Sequence, residues 1–221
     1  MNKFINVLLL FVLFPTILLT VFVGFDLPLS FLKTTGQLMP YKFEIFLGIG
    51  IFILVILLRR SVRRWMGMLI VSKQKRFKWN APVSKSRKGR VVTYLGLESF
   101  IMLFIGVALY EVSNDAFAPA AAFLFSAFDN IIFAIVGSLK KGFRIGLSTK
   151  ALMVADREVV LLYFKGLRKV SVHQQSVYFD YVKGLQLSFP IDCIQEENKE
   201  EFFTILEKQM DPKKVYFEVK K

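Results

Sequence analysis

The amino-acid sequence predicts an α-helical polytopic membrane protein with four transmembrane helices, followed by a C-terminal cytoplasmic α+β domain. Three observations carry this. Apolar residues make up 54% of the 221-residue chain, which has 24 Phe and a mean hydropathy of +0.49. Soluble chains run at about 45–50% apolar on a count that includes Gly, and the present count omits it. Residues 59–90 hold twelve cationic side chains and no Asp or Glu, while the whole-chain excess is 30 − 17 = 13. Nearly all of the net charge therefore sits in one segment between apolar blocks. After residue 142 the long apolar blocks give way to short alternating runs.

The four spans are expected at residues 4–24, 41–58, 94–112 and 117–139. The first has only Asn6, Thr16 and Thr20 as polar side chains. Its length suffices for a hydrocarbon core of about 30 Å at about 1.5 Å per residue. It is longer than the apolar region of a cleaved signal peptide, and large residues (Phe22, Val23) precede Gly24, so a retained span is expected. Pro15 is expected to kink it. Residues 25–41 read as a short external loop, with Tyr41 and Lys42 as interfacial anchors and Glu44 one turn inside the second span. Residues 113–116 read as a tight turn between spans three and four, with Pro119 in the first helical turn, where a missing N–H costs nothing.

Lys and Arg counts in the short loops set the orientation. The loop sides carrying residues 59–90 and Lys140, Lys141 and Arg144 are strongly basic; the opposite loops hold only Lys33 and Lys42. Both termini are thus expected in the cytoplasm, with the protein in the inner membrane. The membrane domain would occupy residues 1–141, with a basic cytoplasmic loop at 59–90, and the β domain residues 142–221.

Within the basic loop, residues 63–71 are expected to form a short helix in the headgroup layer, with Trp65, Met68, Leu69 and Ser72 sharing a face and Arg59, Arg60, Arg63 and Arg64 near lipid phosphates. Residues 73–90 are expected to be looser. There Phe77 and Trp79 interleave with Lys75, Arg76 and Lys78. Two readings are open: attraction to anionic lipid headgroups, or docking of a nucleic acid, such as ribosomal RNA, or of an acidic protein face through base stacking and charge.

The last third shows strand patterns at 144–155, 158–165, 168–173, 176–181 and 185–189, with Lys165-Gly166 and Lys183-Gly184 as turns. Asn198 and Glu201 suggest a capping box opening a helix striped by Phe202, Phe203, Leu206 and Met210. A last strand is expected at 214–219. This antiparallel meander closed by one helix resembles a bacterial pleckstrin-homology-like domain over about residues 143–210. The resemblance rests on Lys165-Gly166-Leu167-Arg168-Lys169-Val170, on Lys183-Gly184-Leu185-Gln186-Leu187 and on the helix at 198–210. It implies a non-catalytic module that binds protein or membrane. Asp156 and Glu158 beside Arg157, in the first strand-to-strand turn, argue against a phosphoinositide site.

Ionisable groups inside a membrane are costly and often functional. Asp129 and Asn130 lie near the middle of span four and Glu98 near the cytoplasmic end of span three. Helical rise places Glu98 and Asp129 within about 3 Å of the same depth, so they could meet across the hairpin. A shared proton, a cation or an arginine such as Arg59 would then relieve their repulsion. The other reading is packing glue between helices. The small residues Ala118, Ala122 and Ser126 form a stripe leading to Asp129 and suit close packing, within the chain or against a partner. His173 reads as a surface residue and Cys193 as a small buried one. One Cys and one His exclude a disulfide framework and His-pair zinc motifs. No phosphate-binding glycine loop, nucleophile elbow or metal-ligand spacing occurs, and no cofactor is implied. The expectation is a non-enzymatic membrane scaffold or accessory subunit, with other membrane proteins and anionic lipids as partners. A small proton- or cation-coupled transport component using Glu98 and Asp129 is the alternative. An enzyme acting on lipids would lack a nucleophile.

Overall fold

The computed structural model describes residues 2–29, 33–212 and 214–218. Its described elements are four long apolar helices and a β-sheet region with one short helix. The long helices are α1 (Asn2–Gly24), α2 (Lys42–Ser72), α3 (Lys85–Val112) and α4 (Phe117–Leu139). All four are long and apolar enough to cross a membrane. The chain divides into two compact units, Met1–Val62 with Leu95–Ile132 and Arg63–Tyr94 with Phe133–Lys221. Helices α2, α3 and α4 contribute residues to both.

In the first unit α1 continues through Pro15, and the hydroxyls of Thr16 and Thr20 donate to the carbonyls of Val12 and Thr16, 2.7 Å each. A polar side chain in an apolar helix is satisfied this way by its own preceding turn. The loop between α1 and α2 holds a minimal antiparallel ladder, β1 (Pro28–Leu29) with β2 (Thr34–Thr35); residues 30–32 lie outside the described ones. The Asp26 carboxylate accepts from the Gln37 backbone N–H at 2.8 Å. The nearby Thr35 hydroxyl and the Gln37 backbone N–H hold its carboxyl below the usual carboxylate range. The expected turn between α3 and α4 is a single 3-10 turn, Asn114–Ala116, tied to the start of α2 by Lys42–Asp115 at 2.8 Å.

The core of this unit joins Val23, Phe46, Ile53, Leu57, Met102, Leu109 and Phe123 to the alanines of α4. Ala122 and Ser126 are buried. A Cβ at Gly50 of α2 would stand 2.6 Å from the Ala118 carbonyl carbon and 2.8 Å from the Pro119 nitrogen. The small-residue stripe thus faces α2 of the same chain, and close approach of two backbones is what small residues permit.

Two expectations about the basic segment fail in one stroke. Helix α2 does not end at residue 58 with a separate interfacial helix after it; it runs unbroken to Ser72. Arginines terminate a hydrocarbon span, but they are good helix formers. Residues 73–90 are not a loose loop either. They contain a 3-10 turn (Gln74–Arg76), a strand β3 (Trp79–Pro82) and the first turns of α3.

The second unit is built around two four-stranded sheets. One has the order β3-β4-β5-β6, antiparallel throughout, with β4 (Arg144–Leu147), β5 (Ala151–Ala155) and β6 (Val159–Tyr163). The single strand expected at 144–155 is therefore a hairpin. Ser148 makes the turn: its hydroxyl oxygen accepts from the backbone N–H of Ala151 at 3.0 Å, and its own N–H donates to the Ala151 carbonyl at 2.9 Å. The other sheet has the order β10-β7-β8-β9, from β7 (Leu167–His173), β8 (Ser176–Tyr181), β9 (Gln186–Pro190) and β10 (Tyr216–Glu218). Only the β10–β7 pairing is parallel. Val219, at the end of the expected last strand, lies outside the described residues. Gly166 and Gly184, with φ of +82° and +73°, occupy the expected Lys-Gly turns, where a left-handed backbone favours glycine.

Strand alternation gives the first sheet two faces. Trp79, Ala81, Ile145, Leu147, Leu152, Val154 and Leu162 form the buried core face. Gly146, Met153, Ala155 and Val159 point the other way, and α2 lies across them: Val71, Met153, Ala155, Phe77 and Val159 form one cluster. A Cβ at Gly67 would run into the Val159 side chain, so glycine lets the helix touch the strand. Helix α5 (Lys199–Lys208) covers the core with Phe202 and Leu206, both buried. Phe202 meets Trp79 and Phe189 at ring-centroid distances of 5.1 and 5.8 Å. Asn198 makes no side-chain cap, and Glu201, expected in a capping box, instead accepts from the Trp79 indole N–H at 3.0 Å.

Candidate functional site

The candidate groups fall into a polar set on the long apolar helices and a basic set between the end of α2 and the start of α3. In the first unit, helices α2 and α3 bring Arg60 and Glu98 together. Both guanidinium NH2 groups donate to the carboxylate, one to each oxygen, with Nη2 to Oε2 at 3.0 Å. The two side chains are only 13% and 18% exposed. A bidentate arginine neutralises a carboxylate without a proton or metal. The sequence left a shared proton, a cation or an arginine such as Arg59 open for a Glu98–Asp129 pair; Arg59 is exposed, and the next residue, Arg60, is the one that pairs with Glu98.

Asp129 is half-buried and Asn130 fully buried. The Asn130 amide lies 3.8 Å from the Met102 sulfur, and its carbonyl oxygen is buried without a hydrogen-bond donor. Ser99, one residue from Glu98, donates to the Leu95 carbonyl at 2.7 Å.

In the second unit the basic segment is a set of fasteners. Arg87 grips Asp156 through Nε at 2.8 Å and Nη2 at 2.7 Å. Arg90 pairs with Asp192, and the Ser84 hydroxyl donates to the Asp192 carbonyl at 2.6 Å. The Lys88 ammonium donates to the Ser138 carbonyl at 3.1 Å. The first two turns of α3 are thereby bolted to the β5–β6 turn, to the 3-10 turn Ile191–Cys193 and to the end of α4. Arg64 is buried with its guanidinium 5.0 Å over the Phe133 ring, a cation–π arrangement. Trp65 meets the same ring edge-on at 5.2 Å.

For the base-stacking reading, Trp79 is a core residue and its ring is not part of an exposed surface, while Phe77 lies half-buried on the backbone of Gly146. Lys75, Arg76 and Lys78 remain exposed, as do Arg59 and Arg63. Sequence reasoning missed Arg87, Arg90, Asp156 and Asp192 as a group because their partners lie 69 and 102 residues apart. The signal available was the scarcity of acids: each carboxylate in a chain of excess +13 has many cations competing for it.

Cys193 is buried, and burial pushes its thiol up to about 12, which makes it inert rather than nucleophilic. His173 is exposed at a strand end, in an edge-on contact with Tyr178. Among the described residues no group of three or more His, Cys, Asp or Glu is placed to hold a metal ion. Compared with protein-family models, curated proteins and solved structures, the chain matches none of them.

Proposed function

We propose that this protein is a non-enzymatic integral membrane scaffold or accessory subunit of the inner membrane, with both termini cytoplasmic. It presents its basic segment and a pleckstrin-homology-like unit to the cytoplasm within a larger membrane complex. The observation that carries this is the Arg87–Asp156 grip with its neighbours. It makes the basic segment part of the folded β unit rather than a tether. The pleckstrin-homology reading is supported by four antiparallel strands (β3–β6), three more (β7–β9), and a helix, α5, against their shared core. On this reading the module's first strand, β3, precedes the α3–α4 hairpin in sequence. The test is purification of the tagged full chain in a mild detergent after crosslinking in cells. Defined partner proteins in fixed ratio are expected. Recovery of the chain alone, with normal growth of cells lacking the β unit, overturns the reading.

A second reading, a small proton- or cation-coupled transport component using Glu98 and Asp129, draws on Asn130, whose carbonyl oxygen is a buried acceptor with no donor. Replacing Asp129 with Asn at normal protein level is expected to abolish ion-coupled transport on that reading. On the scaffold reading it leaves partner recovery intact.

A further inference from the structure

Strand β6 is the outer strand of its sheet, and the next strand in sequence, β7, joins the other sheet. Its free edge is anchored at one end by two helices. The Arg63 guanidinium of α2 donates to the Val159 carbonyl at 3.4 Å, one turn before Gly67 packs on the same residue. In the adjoining turn the Arg157 guanidinium stands 5.4 Å over the ring of Tyr94 on α3. Arg63 and Tyr94 are where α2 enters the β unit and α3 leaves it. At its other end β6 runs into Lys165, and Phe164 donates to the carbonyl of Lys150 on the neighbouring turn at 2.9 Å.

Between these cationic ends β6 exposes Leu161 and Tyr163, the latter 56% exposed, on the same face as Val159. Met66 and Ile70, on the turns of α2 around Gly67, are exposed as well. A free strand edge with an uncovered apolar row is a liability in water. Here it carries the composition of an interfacial segment: aliphatic and tyrosine side chains in the middle, Lys and Arg at the rim, and one carboxylate, Glu158, between Arg157 and Lys165.

We propose that the β6 edge is a membrane-docking surface: Leu161 and Tyr163 rest in the headgroup layer of an anionic leaflet, with Arg63, Lys150 and Lys165 near lipid phosphates. The inference rests on the reading of α2 and α3 as membrane spans. Those spans bring lipid to Arg63 and Tyr94, which is why lipid rather than a peptide is the occupant. A second copy of this chain is disfavoured because the rim would meet its own positive charge.

The test uses the full chain in nanodiscs containing phosphatidylglycerol, with a nitroxide at Leu161→Cys or, separately, at Tyr163→Cys. Cys193 is buried and does not compete for label. Control labels stand at Phe104→Cys on the exposed face of α3 and at Thr204→Cys on the exposed face of α5. The ratio of collisions with lipid-soluble oxygen to those with a water-soluble nickel chelate is expected to be several-fold higher at 161 and 163 than at 204, and to approach that at 104. A ratio at 161 and 163 equal to that at 204, with 104 lipid-exposed, overturns the docking surface and leaves the spans standing; a peptide-binding edge would give that result. A water-exposed label at 104 overturns the spans, and the docking surface with them.

Discussion

Arg60 and Arg87 each hold a carboxylate with two guanidinium nitrogens, in two different settings. Arg60 pairs with Glu98 between two helices of the first unit, where each side chain sits near the end of an apolar stretch. Arg87 pairs with Asp156, of which only 4% is exposed, and joins a helix to a strand turn 69 residues later. If Glu98 were lost, the long Arg60 side chain could extend toward headgroups and water. Asp156 has no such escape: it is 4% exposed and accepts from both Nε and Nη2 of Arg87. The comparison teaches that the same ion pair is a local neutraliser in one unit and a long-range fastener in the other.

Removing the acids separately sharpens that contrast most. Asp156→Ala is expected to destabilise the β unit by about 3–5 kcal/mol, the range for breaking a buried pair. Glu98→Ala should cost less, about 1–3 kcal/mol. Both are read as loss of thermal stability in detergent, and the reverse order would make Glu98 more than a packing partner. Next come the close approaches. Gly67→Val and Gly50→Val each force a side chain into a neighbouring element and should cost about 1–3 kcal/mol. Tryptic exposure of the β unit is expected only for Gly67→Val. Smaller still, Cys193 should resist alkylation at pH 8 in the native protein and react once it is denatured, since a thiol with its pKa near 12 is almost wholly protonated there. Smallest of all, replacing Lys75, Arg76 and Lys78 with Gln should move stability by no more than about 0.5 kcal/mol per site, while retention on anionic vesicles falls by about 1 kcal/mol per charge.

Apolar blocks, the tight turn at Asn114–Ala116 and the glycine turns at Gly166 and Gly184 were legible in the sequence because each depends on residues adjacent in the chain. What escaped depended on contacts made elsewhere. The hairpin at Ser148 is written in a serine, without Gly, Pro or Asn to mark it. Strand β3 is four residues long, and its partner strand begins 144 − 82 = 62 residues after Pro82; nothing in its charged surroundings announces a sheet. The end of α2 was misplaced because four arginines mark where lipid ends, and a helix can continue past that point. Of the candidate site, charge and depth left a shared proton, a cation or an arginine such as Arg59 as ways to relieve a Glu98–Asp129 pair, and did not single out Arg60. The burial of Trp79 and Phe77 was not readable, since interleaved aromatic and basic residues fit a strand with one buried face as well as a stacking surface.

The central claim is that residues 73–90 are a folded part of the β unit and not a loop. Limited trypsin digestion of the full chain, from the face of sealed vesicles that carries this segment, tests it directly. Trypsin meets Lys or Arg at positions 73, 75, 76, 78, 85, 87, 88 and 90, so the segment offers cleavage sites along its length. The account predicts early cuts confined to Lys73, Lys75 and Arg76 around the exposed 3-10 turn, with Arg87, Lys88 and Arg90 protected until the β unit unfolds, and early protection at Arg87 lost in Asp156→Ala. Rapid, even cleavage from Lys73 through Arg90 in the unmodified protein would contradict it.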